Sequence, residues 1–373
     1  MTIRNFILTG TAMISLVFSS CIKDEALNTE ADIETATISK DYVKLSTRIE
    51  NEYVNFYVNT KAPITALAPE FTLTEGATIE PKSGTVRDFT NPQLYTVTSQ
   101  NGTYKKTYTV SVIVSEFATK YSFENTTVKS NYYYEWYEQS DENNKIYLWA
   151  TANDGFNLSY LFASGKPNKD NFVTTIEPNG KEGQGVKMQT LVTGKTGASV
   201  APIAAGNLFL GKFVTNIAKP LESPRFGISW ANEPVKLTGY YKYKAGEEFK
   251  SHKGNPTELT KDTFDAYAVF FKVEDDNDFL KATHNFDFVT NPESDTRIIS
   301  YARIKPQDRK ETSDWTYFEI PFIKLNGRKM EPNAKYKLAV VFSSSIEGDK
   351  YNGAIGSVLS IDEVEVITEK QSK

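Results

Sequence analysis

Large apolar and small polar side chains alternate along much of the chain. In Tyr95-Thr96-Val97-Thr98 and in Tyr108-Thr109-Val110-Ser111-Val112 the large residues recur at every second position and share one face. Asn101-Gly102 lies between them and supplies the positive φ angles of a tight turn, which predicts a β-hairpin. The same reading predicts strands at 54–58 and 71–73, with Pro63, Pro69, Gly76 and Gly84 as punctuation. Further strands are predicted at 145–149, 186–191, 237–243, 266–273, 316–320, 336–342 and 358–364. The unbroken apolar run at 338–342 predicts a central strand buried on both faces or between two sheets. No long segment repeats its apolar residues at helical spacing. The expectation is an all-β chain: a small β domain over 38–116, then a larger two-sheet sandwich or jelly roll over 117–373.

The first residues follow another pattern. Arg4 precedes a broken apolar run from Phe6 to Phe18, and Ser19-Ser20 lead into Cys21. A short positive segment, a short apolar segment and small residues at a cut make a secretory signal. The run is too short for a comfortable membrane span, which needs roughly 20 apolar residues. Its ending resembles a bacterial lipobox, with Phe18 where leucine is usual, and that resemblance implies lipidation of Cys21 after removal of the residues before it. Residues 1–21 are therefore assigned to the signal and its lipidated cysteine, and the polar, acidic residues 22–37 to a tether. Lys23-Asp24-Glu25 resembles the export tag of Bacteroides-group lipoproteins, which implies an outer-membrane lipoprotein facing the cell exterior and held to the membrane by acyl chains.

Composition narrows the chemistry. The chain has 373 residues, a formal net charge of −5 and a pI near 5.4, which lacks the basic footprint of a nucleic-acid binder. Its single cysteine leaves nothing for an internal disulfide or a thiol catalyst. Its two histidines, His252 and His284, cannot build a His-rich zinc site and read as surface residues. No serine–histidine–acid order and no phosphate-cradling glycine motif stands out.

Two stretches carry family resemblances. ITALAPEFTLTEGATIEPKSGTVRDFTNPQLYTVTSQNG looks like the immunoglobulin-like spacer domains of Bacteroides-group surface lipoproteins, which implies a module that projects the next domain outward. The ordered series LWATANDGF, GKEGQGVKMQTL, APIAAGNLFLGKF, PVKLTGYYKYKAGEEF, DTFDAYAVFFKVED and GSVLSIDEVEV resembles the putative carbohydrate metabolism domain of the same group, across most of residues 120–370. This implies a jelly-roll sandwich similar to carbohydrate-binding modules and a glycan-related role, with no catalytic residues to carry over.

Candidate glycan contacts follow from side-chain chemistry. Trp149 can stack on a sugar ring and Asn153 can bond its hydroxyls, or both belong to a strand end and turn. Arg225 and Trp230, in RFGISW, can bind a sugar acid or stack, or Trp230 anchors a loop. Tyr240, Tyr241 and Tyr243 form a platform or cross-strand packing, and Tyr132–Tyr137 a sticky patch or a core strand. Glu274–Asp278 reads as a calcium loop or a solvated turn. Glu124 and Asp362 resemble, in their places near the first and last strands, the acids that hold a structural calcium in jelly-roll carbohydrate modules. No cofactor is otherwise required. The expected function is capture of a glycan by a surface lipoprotein, alongside other surface glycan-uptake proteins. The alternatives are a glycoside hydrolase or lyase, with two facing carboxylates in a cleft, and a structural or adhesion component binding protein partners.

Overall fold

The computed structural model describes residues 27–368 apart from 50, 60, 115–118, 131, 142–143, 161–166, 199–200, 253, 276, 283–290 and 332–333. Cys21, Lys23-Asp24-Glu25 and His284 lie outside the described residues. The chain is all-β, an immunoglobulin-like sandwich followed by a larger jelly-roll sandwich. Among the described residues the only α-helix is Asn153–Ser159.

In the first sandwich a five-stranded sheet runs in the order Val43–Ile49, Tyr53–Val58, Lys105–Val114, Gln93–Thr98, Thr78–Glu80. Tyr53–Val58 and Lys105–Val114 are parallel; the other pairs are antiparallel. Ile33–Thr37 pairs with Glu70–Leu73 to form the second layer. Residues 33–37 were expected in the tether; Ile33 and Ala36, three residues apart, instead both bury in this core, because the pairing register shifts between Ile33 and Thr35. The expected hairpin forms, with Tyr95 opposite Tyr108. Its loop is wider than a tight turn: only Gly102 takes positive φ (71°), and Ser99 N–H bonds Tyr104 O at 3.0 Å.

The larger sandwich packs a nine-stranded sheet on a six-stranded one. The larger sheet runs Leu280–Lys281, Pro224–Phe226, Asn207–Phe213, Lys335–Ser343, Asp265–Val273, Ile298–Arg303, Ile323–Lys324, with Trp149–Ala150 and Ile228–Ser229 joining its middle. The smaller sheet runs Thr174–Glu177, Gly185–Gln189, Val358–Thr368, Pro234–Lys244, Thr312–Pro321, and Lys120–Tyr121 joins Val358–Thr368. Ala266, Ala268, Phe270, Leu338, Val340 and Phe342 meet Met188, Leu237, Leu359 and Ile361 between the sheets. The intervening residues Tyr267, Val269, Phe271, Ala339 and Val341 face outward, yet they too are buried, in a second apolar cluster under loops. The apolar run is therefore a central strand covered on both faces.

Beneath those loops, Asp262 is a buried hub. Its carboxylate accepts bonds from Ser345 Oγ (2.6 Å), Ser357 Oγ (2.6 Å), Ala354 N (2.8 Å) and Thr263 N (2.9 Å). It pins the segment 344–357 to the strand that begins at Asp265.

Asp262→Ala leaves several buried donors without an acceptor, each costing about 1–3 kcal/mol before water enters. Urea unfolding is expected to show a loss on the order of 3 kcal/mol. A change below about 0.5 kcal/mol, the range of ordinary surface substitutions, would show that the hub holds nothing.

Candidate functional site

The outward face of the nine-stranded sheet is not fully covered. A cleft of about 1060 Å³ remains over its Asp265–Tyr267 end. Its floor is Tyr267 and Val341, directly paired across strands, with Phe226. One wall is Phe213 and the segment from Thr215 to Leu221, where Ile217 is 76% exposed. The helix Asn153–Ser159 and the turn Glu347–Tyr351 complete the rim.

Acids gather at one end. Asp265 takes Arg303 in a two-point pair (Nη2 to Oδ2 2.8 Å, Nε to Oδ1 3.2 Å) and Arg309 Nη2 at 3.2 Å. Asp349 sits on the turn Gly348–Lys350, which Tyr351 closes in the left-handed region at φ 59°. Burial pushes the Asp349 carboxyl above the usual range, against the pull of the neighbouring Lys350 ammonium. Burial and the Asp349 charge also raise the Tyr351 hydroxyl. The cleft thus joins an apolar floor to a paired carboxylate and to an acid biased toward its protonated form.

Three sequence candidates lie elsewhere. Trp149 is 5% exposed and packs edge-on against Tyr121 (centroids 5.1 Å apart) and Phe123 (5.4 Å). Asn153 is fully buried; it exchanges two bonds with the Thr174 backbone, at 2.8 and 3.1 Å, and so ties the helix to the smaller sheet. Trp230 is 6% exposed, and its backbone N–H donates to Tyr336 O at 2.9 Å. None of the three presents a face to a sugar, because each sits where the chain turns into the core. Gly227, at φ 109°, makes the turn in RFGISW: residues 224–226 pair outward with Asn207–Phe213, and 228–229 pair with Lys335–Ser343. Arg225 is left half-exposed at that edge, apart from Trp230.

Glu124 and Asp362 do meet one loop, the turn before Gly185–Gln189. Asp362 accepts from the backbone N–H groups of Lys181 (2.7 Å), Glu182 (3.1 Å) and Glu363 (2.7 Å), and Glu124 from Gln184 N at 3.3 Å. Backbone N–H groups thus take up lone pairs on both carboxylates. Among the described residues no three His, Cys, Asp or Glu side chains cluster as a metal site. In Glu274–Asp278, Asp276 lies outside the described residues, and Asp278 pairs with Arg297 at 2.6 Å.

The aromatic stretches divide. Tyr133, Tyr134 and Trp136 are buried, and so are Tyr241 and Tyr243. Tyr240 faces out beside Tyr317 (5.4 Å) on the smaller sheet, near Trp315, which sequence reasoning missed. That strip already holds cations: the Lys242 ammonium lies 4.5 Å from the Trp315 ring and Lys181 5.0 Å from Tyr240. Ring faces so occupied are poor stacking surfaces, so the cleft is the better candidate. The cleft residues gave no motif, because they come from segments far apart in the chain and meet only on the sheet.

Residues 122–367 match the family described as the putative carbohydrate metabolism domain, and residues 33–112 match the one described as SGBP, N-terminal. A structure described as a putative glycoside hydrolase from Bacteroides thetaiotaomicron is 40% identical; the match covers 94% of this chain and 100% of that one, with a TM-score of 0.78. A second, a putative glycoside hydrolase from Bacteroides vulgatus, is 36% identical over 68% of this chain and 98% of that one, at 0.58. No curated protein matches.

Burial outweighs its N–H donors and pushes the Asp362 carboxyl up to about 6. A folded state that holds its proton more tightly than the unfolded chain is favoured at low pH and loses stability as pH rises from about 4 to about 6. The stability of the wild type relative to Asp362→Asn is therefore expected to fall by about 2 kcal/mol across that window. Urea midpoints at several pH values check this, and parallel curves would show that Asp362 does not titrate there.

Proposed function

The chain belongs to the putative carbohydrate metabolism domain family, and from that premise we propose that it captures a glycan in the cleft on the outward face of its larger sheet. A glycan-related role agrees with both family matches. The observation that carries the finer reading is the cleft itself, where an apolar floor and wall meet a rim of acids and amides. Sugar rings present apolar C–H faces and polar edges, and a concave site with a few placed polar groups suits them. Phe213 and Tyr351 supply ring faces, and Asn216, Arg303 and Asp349 supply bonds to hydroxyls. In this reading the lipidated Cys21 holds the chain at the outer membrane, facing outward. Among the described residues no helix is long and apolar enough to cross a membrane.

One observation favours a second reading, hydrolysis. Asp349, whose carboxyl burial raises above the usual range, shares the cleft with Asp265, and a glycosidase places two carboxyl groups in one cleft, one of them with a raised pKa. The two relatives described as putative glycoside hydrolases agree with it.

Titration calorimetry against a polysaccharide panel tests capture. Phe213→Ala and Tyr351→Ala are each expected to weaken binding about tenfold, which is about 1.4 kcal/mol, while Trp315→Ala leaves it unchanged. Loss through Trp315 alone would move the site to the other sheet. Reducing-end release from a bound polysaccharide, abolished in Asp349→Asn, would establish hydrolysis; intact polysaccharide after prolonged incubation would reject it.

A further inference from the structure

A second cleft, of about 850 Å³, is lined by both sandwiches. The first sandwich supplies Arg48 and Tyr53, and the larger one Lys129, Glu135, Asp154 and Phe213. Phe213 also walls the first cleft, the one over Asp265–Tyr267. The start of the helix Asn153–Ser159 is shared in the same way: Thr151 and Asp154 line the second cleft, Ala152 and Gly155 the first. A Cβ at Gly155 would stand 3.2 Å from the far edge of the Phe213 ring, so the ring seats directly against the helix. The two clefts meet at that contact.

A row of fixed polar groups leads to the junction. Glu135 accepts from Arg48 at 3.3 Å and pairs with Lys129 at 3.1 Å. Lys129 reaches on to Asp154 at 3.4 Å, and Asp154 also accepts from the Tyr133 hydroxyl. The row thus crosses from the first sandwich to the residue before Gly155. Its four charged side chains hold one another in place, yet each is between 21% and 39% exposed. A carboxylate has about four lone-pair sites, so Glu135 and Asp154 can accept from sugar hydroxyls as well. Lys212, held opposite Arg225 by the strand register, lines the same cleft beside Phe213, with its ammonium 4.7 Å from the Phe279 ring.

Most rings of this cleft are buried or, like Tyr147 under Arg48 at 3.6 Å, covered by a cation. Tyr53, 51% exposed, and the half-buried Phe213 are the exceptions among the described residues: neither stacks on another ring or carries a cation. Tyr53 stands on the sandwich that carries Arg48, and Phe213 at the Asp154 end of the row. They are the ring faces left for a sugar.

We propose that the two clefts form one path, and that its ligand is an internal stretch of a linear polysaccharide, running from the first cleft over Phe213 and along Asp154, Lys129 and Glu135 to Tyr53. The inference rests on glycan capture and adds the form of the glycan, an extended chain and not a terminal sugar. Each cleft by itself is about the size of the largest pockets that enclose a drug-sized ligand, about 1,000 Å³, so together they take several linked sugars. Once one segment of the chain is seated, the next binds from a high effective concentration. The first sandwich then contributes to binding as well as to display.

Calorimetry on the purified chain, with fragments of starch, xylan, mannan and β-glucan graded from disaccharides to long oligomers, tests this. For the glycan that binds, affinity is expected to rise on the order of 100-fold from the shortest to the longest fragments. Tyr53→Ala is expected to weaken long fragments about tenfold and to leave disaccharides unchanged, while Tyr351→Ala weakens both. Tyr104→Ala, at an exposed tyrosine outside both clefts, should alter neither. Affinity independent of length on the unaltered chain, a result that needs no variant to fold, would overturn the path and leave capture in the first cleft standing. So would long fragments that bind Tyr53→Ala as tightly as the wild type. Loss of every length in Tyr53→Ala at an unchanged melting temperature, with Tyr351→Ala silent, would make the second cleft the site on its own and overturn both the path and capture in the first cleft. No binding of any fragment would remove both.

Discussion

A sheet that is apolar on both faces must be covered twice, and the larger sandwich is arranged around that constraint. Asp265–Val273 and Lys335–Ser343 bury one alternate set against the smaller sheet and the other under loops. Each buried large side chain contributes roughly 1.5–3 kcal/mol, so neither face can be left to water. The second cover comes from loops, and loops do not tile a sheet as evenly as another sheet does. The gap they leave is the cleft, floored by the apolar residues that demanded cover.

Charge then decides how that gap is finished. Asp265 begins a strand whose next outward residues are apolar, and it enters the sheet's edge only with Arg303 and Arg309 bonded to it. A buried carboxylate without partners would cost several kcal/mol. Asp262, three residues earlier, uses hydroxyls and backbone N–H groups instead, and so fixes the segment that carries Asp349. Two neighbouring acids thus position the polar end of the cleft by different means.

The first sandwich is more than a spacer set apart. Tyr57 and Ile113 bury in the core of the larger one. Arg48 lies 3.6 Å over the Tyr147 ring and pairs with Glu135 at 3.3 Å. Arg48, Tyr57, Glu135 and Tyr147 line the second cleft, of about 850 Å³, together with Lys212. Side chains alternate along Tyr53–Val58 and Lys105–Val114, so Val54, Phe56, Tyr108 and Val110 face their own core while the paired Tyr57 and Ile113 face the neighbour.

The sequence by itself determined most of the strands, the hairpin that joins Gln93–Thr98 to Lys105–Val114 and the doubly buried run at 338–342, because alternation and apolar runs are local patterns set by the two-residue repeat of a strand. It also carried the family resemblance. The tether boundary was misread because Ile33 and Ala36 are too few to show a period without their partner strand. The tryptophans were misread because stacking chemistry and core packing ask for the same residue, and only the packing of Trp149 and Trp230 against other strands separates them. Asn153 and Thr174, Lys212 and Arg225, and Asp265 and Arg309 are neighbours only through pairings between distant segments. Their roles follow from register and loop placement, which depend on the whole sheet, and only the tertiary structure could decide them.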